Sequence, residues 1–100
     1  MTSRSRLLAS LARRYIWWRD PVPPSDDRII AQVMSLGTYD DVRRLEYVFA
    51  PEELRAVMLR AQPGWIAKNS WSFWRARLLR AGVEPIPAEP PRRAVHVAVS

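Results

Sequence analysis

Ser25-Asp26-Asp27-Arg28-Ile29-Ile30-Ala31-Gln32-Val33-Met34-Ser35-Leu36-Gly37-Thr38-Tyr39-Asp40-Asp41-Val42-Arg43-Arg44-Leu45-Glu46-Tyr47-Val48-Phe49 is the stretch that decides the fold. Its apolar residues recur at helical spacing: Ile29, Ile30, Val33 and Leu36, then Val42, Leu45, Val48 and Phe49. Ser25 has the chemistry of an N-cap, and Asp26 and Asp27 follow in a first turn whose unpaired amides favour carboxylates. Gly37 stands where a left-handed residue would end that helix. Thr38 opens the next one, with Asp41 at the reciprocal position of a capping box and Asp40 spaced to pair with Arg44. Two short helices meeting at a Leu-Gly corner are therefore predicted.

The same grammar extends in both directions. Upstream, Leu7, Leu8, Leu11, Tyr15 and Trp18 share one face of a helix from about Ser5 to Trp18, which Pro21, Pro23 and Pro24 terminate. Arg6, Arg13 and Trp17 fall on its other face. Downstream, Pro51 at the first helical position and Glu52-Glu53 behind it open a fourth helix, with Leu54, Val57, Met58 and Ala61 facing inward. Gln62-Pro63-Gly64 breaks it. A fifth helix is expected from an N-cap at Asn69 or Ser70 to Arg80, placing Trp71, Trp74, Leu78 and Ala81 on one side and Phe73, Arg77 and Arg80 opposite. The expected architecture is all-α: a bundle of about five short helices over residues 1–82. Residues 83–100, which hold four of the nine prolines, read as a Pro-rich disordered tail. Val95 to Val99 alternates like a strand, too briefly to carry weight.

Charge and aromatics are segregated beneath a net charge of +6. Residues 1–20 hold five arginines against Asp20, and residues 63–82 hold Lys68, Arg75, Arg77 and Arg80 with no acid. All five tryptophans lie in these two flanks, whereas residues 21–62 carry seven acids against five arginines. Every acid pair of the centre falls in a first helical turn, so dipole compensation accounts for it better than a metal site. The Arg-rich N-terminus also has the composition of an organellar transit peptide, but an amphipathic first helix accounts for it more simply.

Composition removes whole classes of chemistry. Cysteine is absent, and His96 is the one histidine, so thiolate catalysis, Ser–His pairs and Cys/His metal sites are not available within one chain. Gly37, Gly64 and Gly82 each punctuate a helix, and none belongs to a phosphate-binding loop. No catalytic residue, cofactor or metal is expected. The absence of cysteine and of a long apolar run fits a cytoplasmic chain with no membrane span. The Gly37 corner has the outline of a helix-turn-helix, but its second helix would push Asp40 and Asp41 toward phosphates.

The order of certain residues resembles a known family. Trp17-Trp18-Arg19-Asp20 is followed by Ile29 to Met34, by Leu36-Gly37-Thr38-Tyr39-Asp40-Asp41 and by Val42-Arg43-Arg44-Leu45. Then come Pro51-Glu52-Glu53-Leu54-Arg55 and Asn69-Ser70-Trp71-Ser72-Phe73-Trp74. Over about residues 15–82 the chain is similar to small all-helical prokaryotic proteins often encoded beside AbiEii-type nucleotidyltransferase toxins. It departs from them in placing Arg19 ahead of Asp20. The resemblance implies an antitoxin-like or accessory role, and transfers no functional residue.

The expectation is a non-enzymatic interaction protein with a protein partner, such as a nucleotidyltransferase toxin. Arg6, Arg13, Trp17, Trp65, Phe73, Arg75, Arg77 and Arg80 are the candidate contact residues, being of the types that anchor interfaces. The alternative is a small basic nucleic-acid-binding protein or autorepressor, and a homodimer is open to either. The relative placement of the two basic flanks discriminates: one continuous basic face favours nucleic acid, whereas arginines paired with the acids of residues 26–53 disfavour it.

Overall fold

Five helices appear in a computed structural model, which describes residues 3–16 and 25–92: α1 Ser3–Tyr15, α2 Asp26–Leu36, α3 Tyr39–Val48, α4 Pro51–Arg60 and α5 Lys68–Arg80. No strand occurs among the described residues. The fold is all-α, as the periodicity predicts. None of the helices is long and apolar enough to cross a membrane.

Helix α2 is the axle. Ile29 to Met34 are buried without interruption, and α1, α3, α4 and α5 all pack against it. A helical segment buried on all sides must be apolar around its circumference, which Ile29 to Met34 satisfies but for the buried Gln32. Around it the core gathers Leu8, Leu11 and Tyr15 from α1, Val42 and Leu45 from α3, Leu54, Val57 and Met58 from α4, and Trp71, Trp74 and Leu78 from α5. Both tryptophan N–H groups find carbonyls: Trp74 Nε1 donates to Met34 at 3.1 Å and Trp71 Nε1 to Pro87 at 2.8 Å. Their rings can therefore be buried without an unsatisfied donor.

The predicted N-caps of α2 and α3 form, and α4 opens at Pro51 as predicted. Ser25 Oγ accepts from Arg28 N–H at 3.1 Å, and Thr38 Oγ1 accepts from Asp41 N–H at 3.3 Å. At α4 the Glu53 carboxylate reaches back to the Ala50 amide at 3.0 Å. Pro63-Gly64 makes the predicted break, with Gly64 at φ +87° and Trp65 N–H bonded to the Gln62 carbonyl at 3.1 Å.

Several local expectations are corrected. Gly37 is extended, at φ −67°, not left-handed. What its position requires is the missing Cβ, which would stand 2.5 Å from the Val33 carbonyl oxygen. Leu36, the last residue of α2, is exposed although Val33 and Met34 of the same turn are buried. Asp41 does not close a capping box, and Arg44 pairs with Asp41, not with Asp40. Helix α5 begins at Lys68 with Ala67, not Asn69 or Ser70, at the N-cap: Ser35 of α2 ties down this start, its Oγ accepting from Ala67 N–H at 3.0 Å and its carbonyl accepting from Ser70 Oγ at 2.8 Å. Ala81, expected beside Trp71, is exposed at the helix end.

The packed body also runs past the boundary expected at Gly82. Gly82, at φ +83°, ends α5 in a Schellman motif, with Val83 N–H bonded to Leu78 O at 3.1 Å and Gly82 N–H to Leu79 O at 3.0 Å. Val83 and Ile86 are then buried in the core. Side chains of α4 and α5 hold the next carbonyls: Arg55 Nε that of Pro85 and Arg75 Nε that of Ile86, both at 2.8 Å. Residues 83–87 are an irregular strap laid over the bundle. Trp17 and Trp18, with the rest of residues 17–24, lie outside the described residues, as do 93–100 with Val95 to Val99.

Candidate functional site

Helices α3 and α5 both pack on α2 and leave a cleft of about 290 Å³ between them. Met34, Ser35 and Gly37 line it at the end of α2, Val42 on the α3 side, and Asn69, Ser70 and Trp74 on the α5 side, a mainly apolar lining with three polar side chains. Two aromatic rings stand on its walls. Tyr39, the first residue of α3, is 59% exposed, and Phe73, one turn into α5, is 44% exposed. Phe73 packs edge-on against the buried Trp74, with centroids 5.8 Å apart and planes at 90°.

Arg77 fixes this arrangement. Its guanidinium lies 5.7 Å from the ring centroids of both Tyr39 and Phe73. Its Nη2 donates to Glu46 Oε1 at 2.8 Å while its Nε donates to Glu46 Oε2, a bidentate fork across α3 and α5. That hydrogen bonding raises the Arg77 pKa further above its usual range. Tyr39 moves the other way: hydrogen bonds from Arg43 and then from Arg77 favour its phenolate and lower its pKa. The cluster is thus a cation-centred aromatic pair beside the cleft.

A second cluster that joins a tyrosine, a carboxylate and arginine lies on α3 but is sealed. Asp41 is 0% exposed; its Oδ2 accepts from Tyr15 Oη and from Thr38 Oγ1 at 3.3 Å. Arg14 and Arg44 approach its two oxygens at 3.5 and 3.6 Å from the solvent side. Oδ1 makes no hydrogen bond and faces only the Arg44 charge. Burial, then the bond to Asp41, raises the Tyr15 pKa. This cluster ties α1 to the start of α3 and offers no surface.

The predicted contact residues divide accordingly. Phe73 and Arg77 belong to the open cluster, and Arg80 is exposed one turn further along α5. Arg75 holds the strap at Ile86. Trp65 is half-buried beneath the Arg28 guanidinium, 5.1 Å from its ring. Arg6 and Arg13 are exposed on α1, which packs on α2 and α3, and neither joins the ring contacts of the cluster. Trp17 lies outside the described residues. Tyr39, Glu46 and Arg43 escaped the sequence reading. Tyr39 stood in an acidic helix opening, and Glu46 is 31 residues from its arginine.

Much of the arginine charge is spent internally. Arg4 pairs with Glu53, Arg60 with Asp27 at 2.7 Å, Arg77 with Glu46, and Arg14 and Arg44 with Asp41. Hydrogen bonding to Arg60 holds the Asp27 carboxyl below its ordinary range. Among the described residues no group of three or more His, Asp or Glu side chains is placed to hold a metal ion. No family model matches the chain, and no curated protein and no solved structure matches it significantly.

Proposed function

We propose that this chain is a non-enzymatic interaction protein that holds a protein partner at the α3–α5 cleft. The observation that carries the reading is the Tyr39–Arg77–Phe73 cluster: two exposed aromatics held in fixed positions at the edge of a mainly apolar depression. Interface hot spots are enriched in such aromatic and arginine groups, and a pre-set geometry lowers the ordering cost of binding. The proposed partner is a nucleotidyltransferase of the toxin type to which the sequence resemblance points, encoded by a neighbouring reading frame. The role is that of its antitoxin-like or accessory protein.

The test is co-expression with the adjacent gene product, followed by sizing chromatography at micromolar concentration. Co-elution is expected, and Phe73→Ala is expected to weaken it about tenfold or more, the loss typical of an interface anchor. Clean separation of the two wild-type chains overturns the reading. Nucleic-acid binding is the weaker alternative, because acids of residues 27–53 face Arg4, Arg14, Arg44, Arg60 and Arg77. It would show itself as an affinity falling steeply with salt.

A further inference from the structure

Resting on the interaction reading, the partner's docking segment can be given a chemistry. We infer that the α3–α5 cleft receives an acidic amphipathic helix that inserts one bulky apolar side chain between Tyr39 and Phe73. Three features of the molecule converge on this occupant.

The first is size. A volume of about 290 Å³ falls just under the roughly 300–1,000 Å³ of pockets that enclose a small ligand. The cleft is open along its length, with Tyr39 and Phe73 as its two lips. It suits an anchor side chain projecting from a larger body. The second is its setting between two helices over a third, the geometry in which a ligand helix lays its apolar face. Main-chain recognition of an extended strand is not on offer, since the cleft lies between two helices and presents no sheet edge.

The third feature is charge. The walls, residues 39–48 and 68–80, carry one lysine and five arginines against three acids. Arg77 is spent on Glu46, Arg44 on the buried Asp41, Lys68 on Glu89 and Arg75 on the Ile86 carbonyl, which leaves Arg43 and Arg80 as the wall cations outside these contacts, against the exposed Asp40. Arg43 beside Tyr39 and Arg80 one turn beyond Arg77 are exposed guanidinium groups on either wall. Desolvating this rim against an apolar or basic partner would cost energy that a line of carboxylates recovers. Glu or Asp flanking a Leu, Phe or Trp anchor at helical spacing is the complementary sequence.

A random library of displayed peptides of about four helical turns, panned on the folded chain at low salt, tests this directly. The recovered sequences are expected to be acidic, with an aromatic or aliphatic anchor at i, i+3 or i+4 spacing. Their affinity is expected to fall about tenfold for Phe73→Ala or Tyr39→Ala, the size of an anchor lost. For the double variant Arg43→Glu, Arg80→Glu it should fall by a similar factor, whereas Arg6→Glu should leave it unchanged. Unaltered helical circular dichroism and melting temperature keep folding out of the comparison. An empty selection, a pool without acid enrichment, binding indifferent to Phe73, or displacement of the peptides by a single-stranded DNA oligonucleotide would each overturn the inference. Its failure is separable from that of the interaction reading. If the neighbouring gene product still co-elutes and depends on Phe73, but ignores the charge reversals, the docking site stands and the acidic helix falls.

Discussion

Two clusters that each join a tyrosine, a carboxylate and arginine hang on α3 and differ most in their access to water. The Tyr15–Asp41 cluster buries its carboxylate completely and leaves its two arginines at the rim. The Tyr39–Glu46–Arg77–Phe73 cluster keeps its ion pair partly wet and its rings exposed. In the first, desolvating Asp41 is costly, and of the hydrogen bonds from Thr38 and Tyr15 that offset the cost, the one from Tyr15 lasts only while α1 stays docked. In the second, an ion pair near water contributes little to stability, but it fixes where two aromatic groups stand. Residue type alone does not assign these roles; depth does.

The sharpest way to break this contrast is to remove Asp41. Asp41→Ala takes away the acceptor for the buried Tyr15 phenol and for Thr38 Oγ1 while its two arginines stay in water, and is expected to cost about 3 kcal/mol in urea denaturation. A loss under about 1 kcal/mol would mean that the cluster behaves as a surface ion pair and that the distinction by depth fails. Tyr15→Phe tests the same knot from α1. It leaves the ring in the core and removes one hydrogen bond to a charged group, so about 1.5–3 kcal/mol is expected from the same measurement.

Local chemistry was legible in the sequence, and long-range chemistry was not. Ser25, Thr38 and the Pro51–Glu53 opening each act within three residues, so their spacing alone announces them. Trp71, Trp74 and Leu78 were equally readable, because one helical face must be buried. Glu46 and Arg77 are 31 residues apart, Ser35 and Ala67 are 32, and no periodicity links either pair. Asp41 shows how a correct local rule can mislead. It does sit in a first helical turn, yet Tyr15, 26 residues earlier, decides its environment. The end of the packed body could have been found: an apolar Val83 directly after Gly82 is the signature of a Schellman motif.

The open cluster should respond more weakly. Glu46→Gln removes the charge from a pair whose side chains are 28% and 30% exposed, and is expected to cost about 0.5–1 kcal/mol in urea. Its larger effect should fall on partner binding, since Arg77 would no longer be held between the two rings. A stability loss matching that of Asp41→Ala would show that the exposed cluster is also a structural tie.

The smallest effect in free energy is the most direct probe of the contrast, because the two tyrosines are displaced in opposite directions. Tyr15 ionises above its ordinary value of 10.0, chiefly because burial penalises the phenolate. Tyr39 ionises below the same value, because Arg43 and Arg77 stabilise its phenolate. Between the folded pKa of Tyr39 and 10.0, the unfolded chain binds more protons at this position, so Tyr39 makes stability rise slightly with pH. Above 10.0 the folded chain retains the Tyr15 proton that the unfolded chain has lost, so Tyr15 makes stability fall until its own folded pKa is passed. Alkaline titration followed by phenolate absorbance should therefore lose its early portion in Tyr39→Phe and its late portion in Tyr15→Phe. If Tyr39→Phe removed the late portion instead, Arg43 and Arg77 would not be holding the phenol, and the cleft would lose the ordered lip on which its reading as a docking site depends.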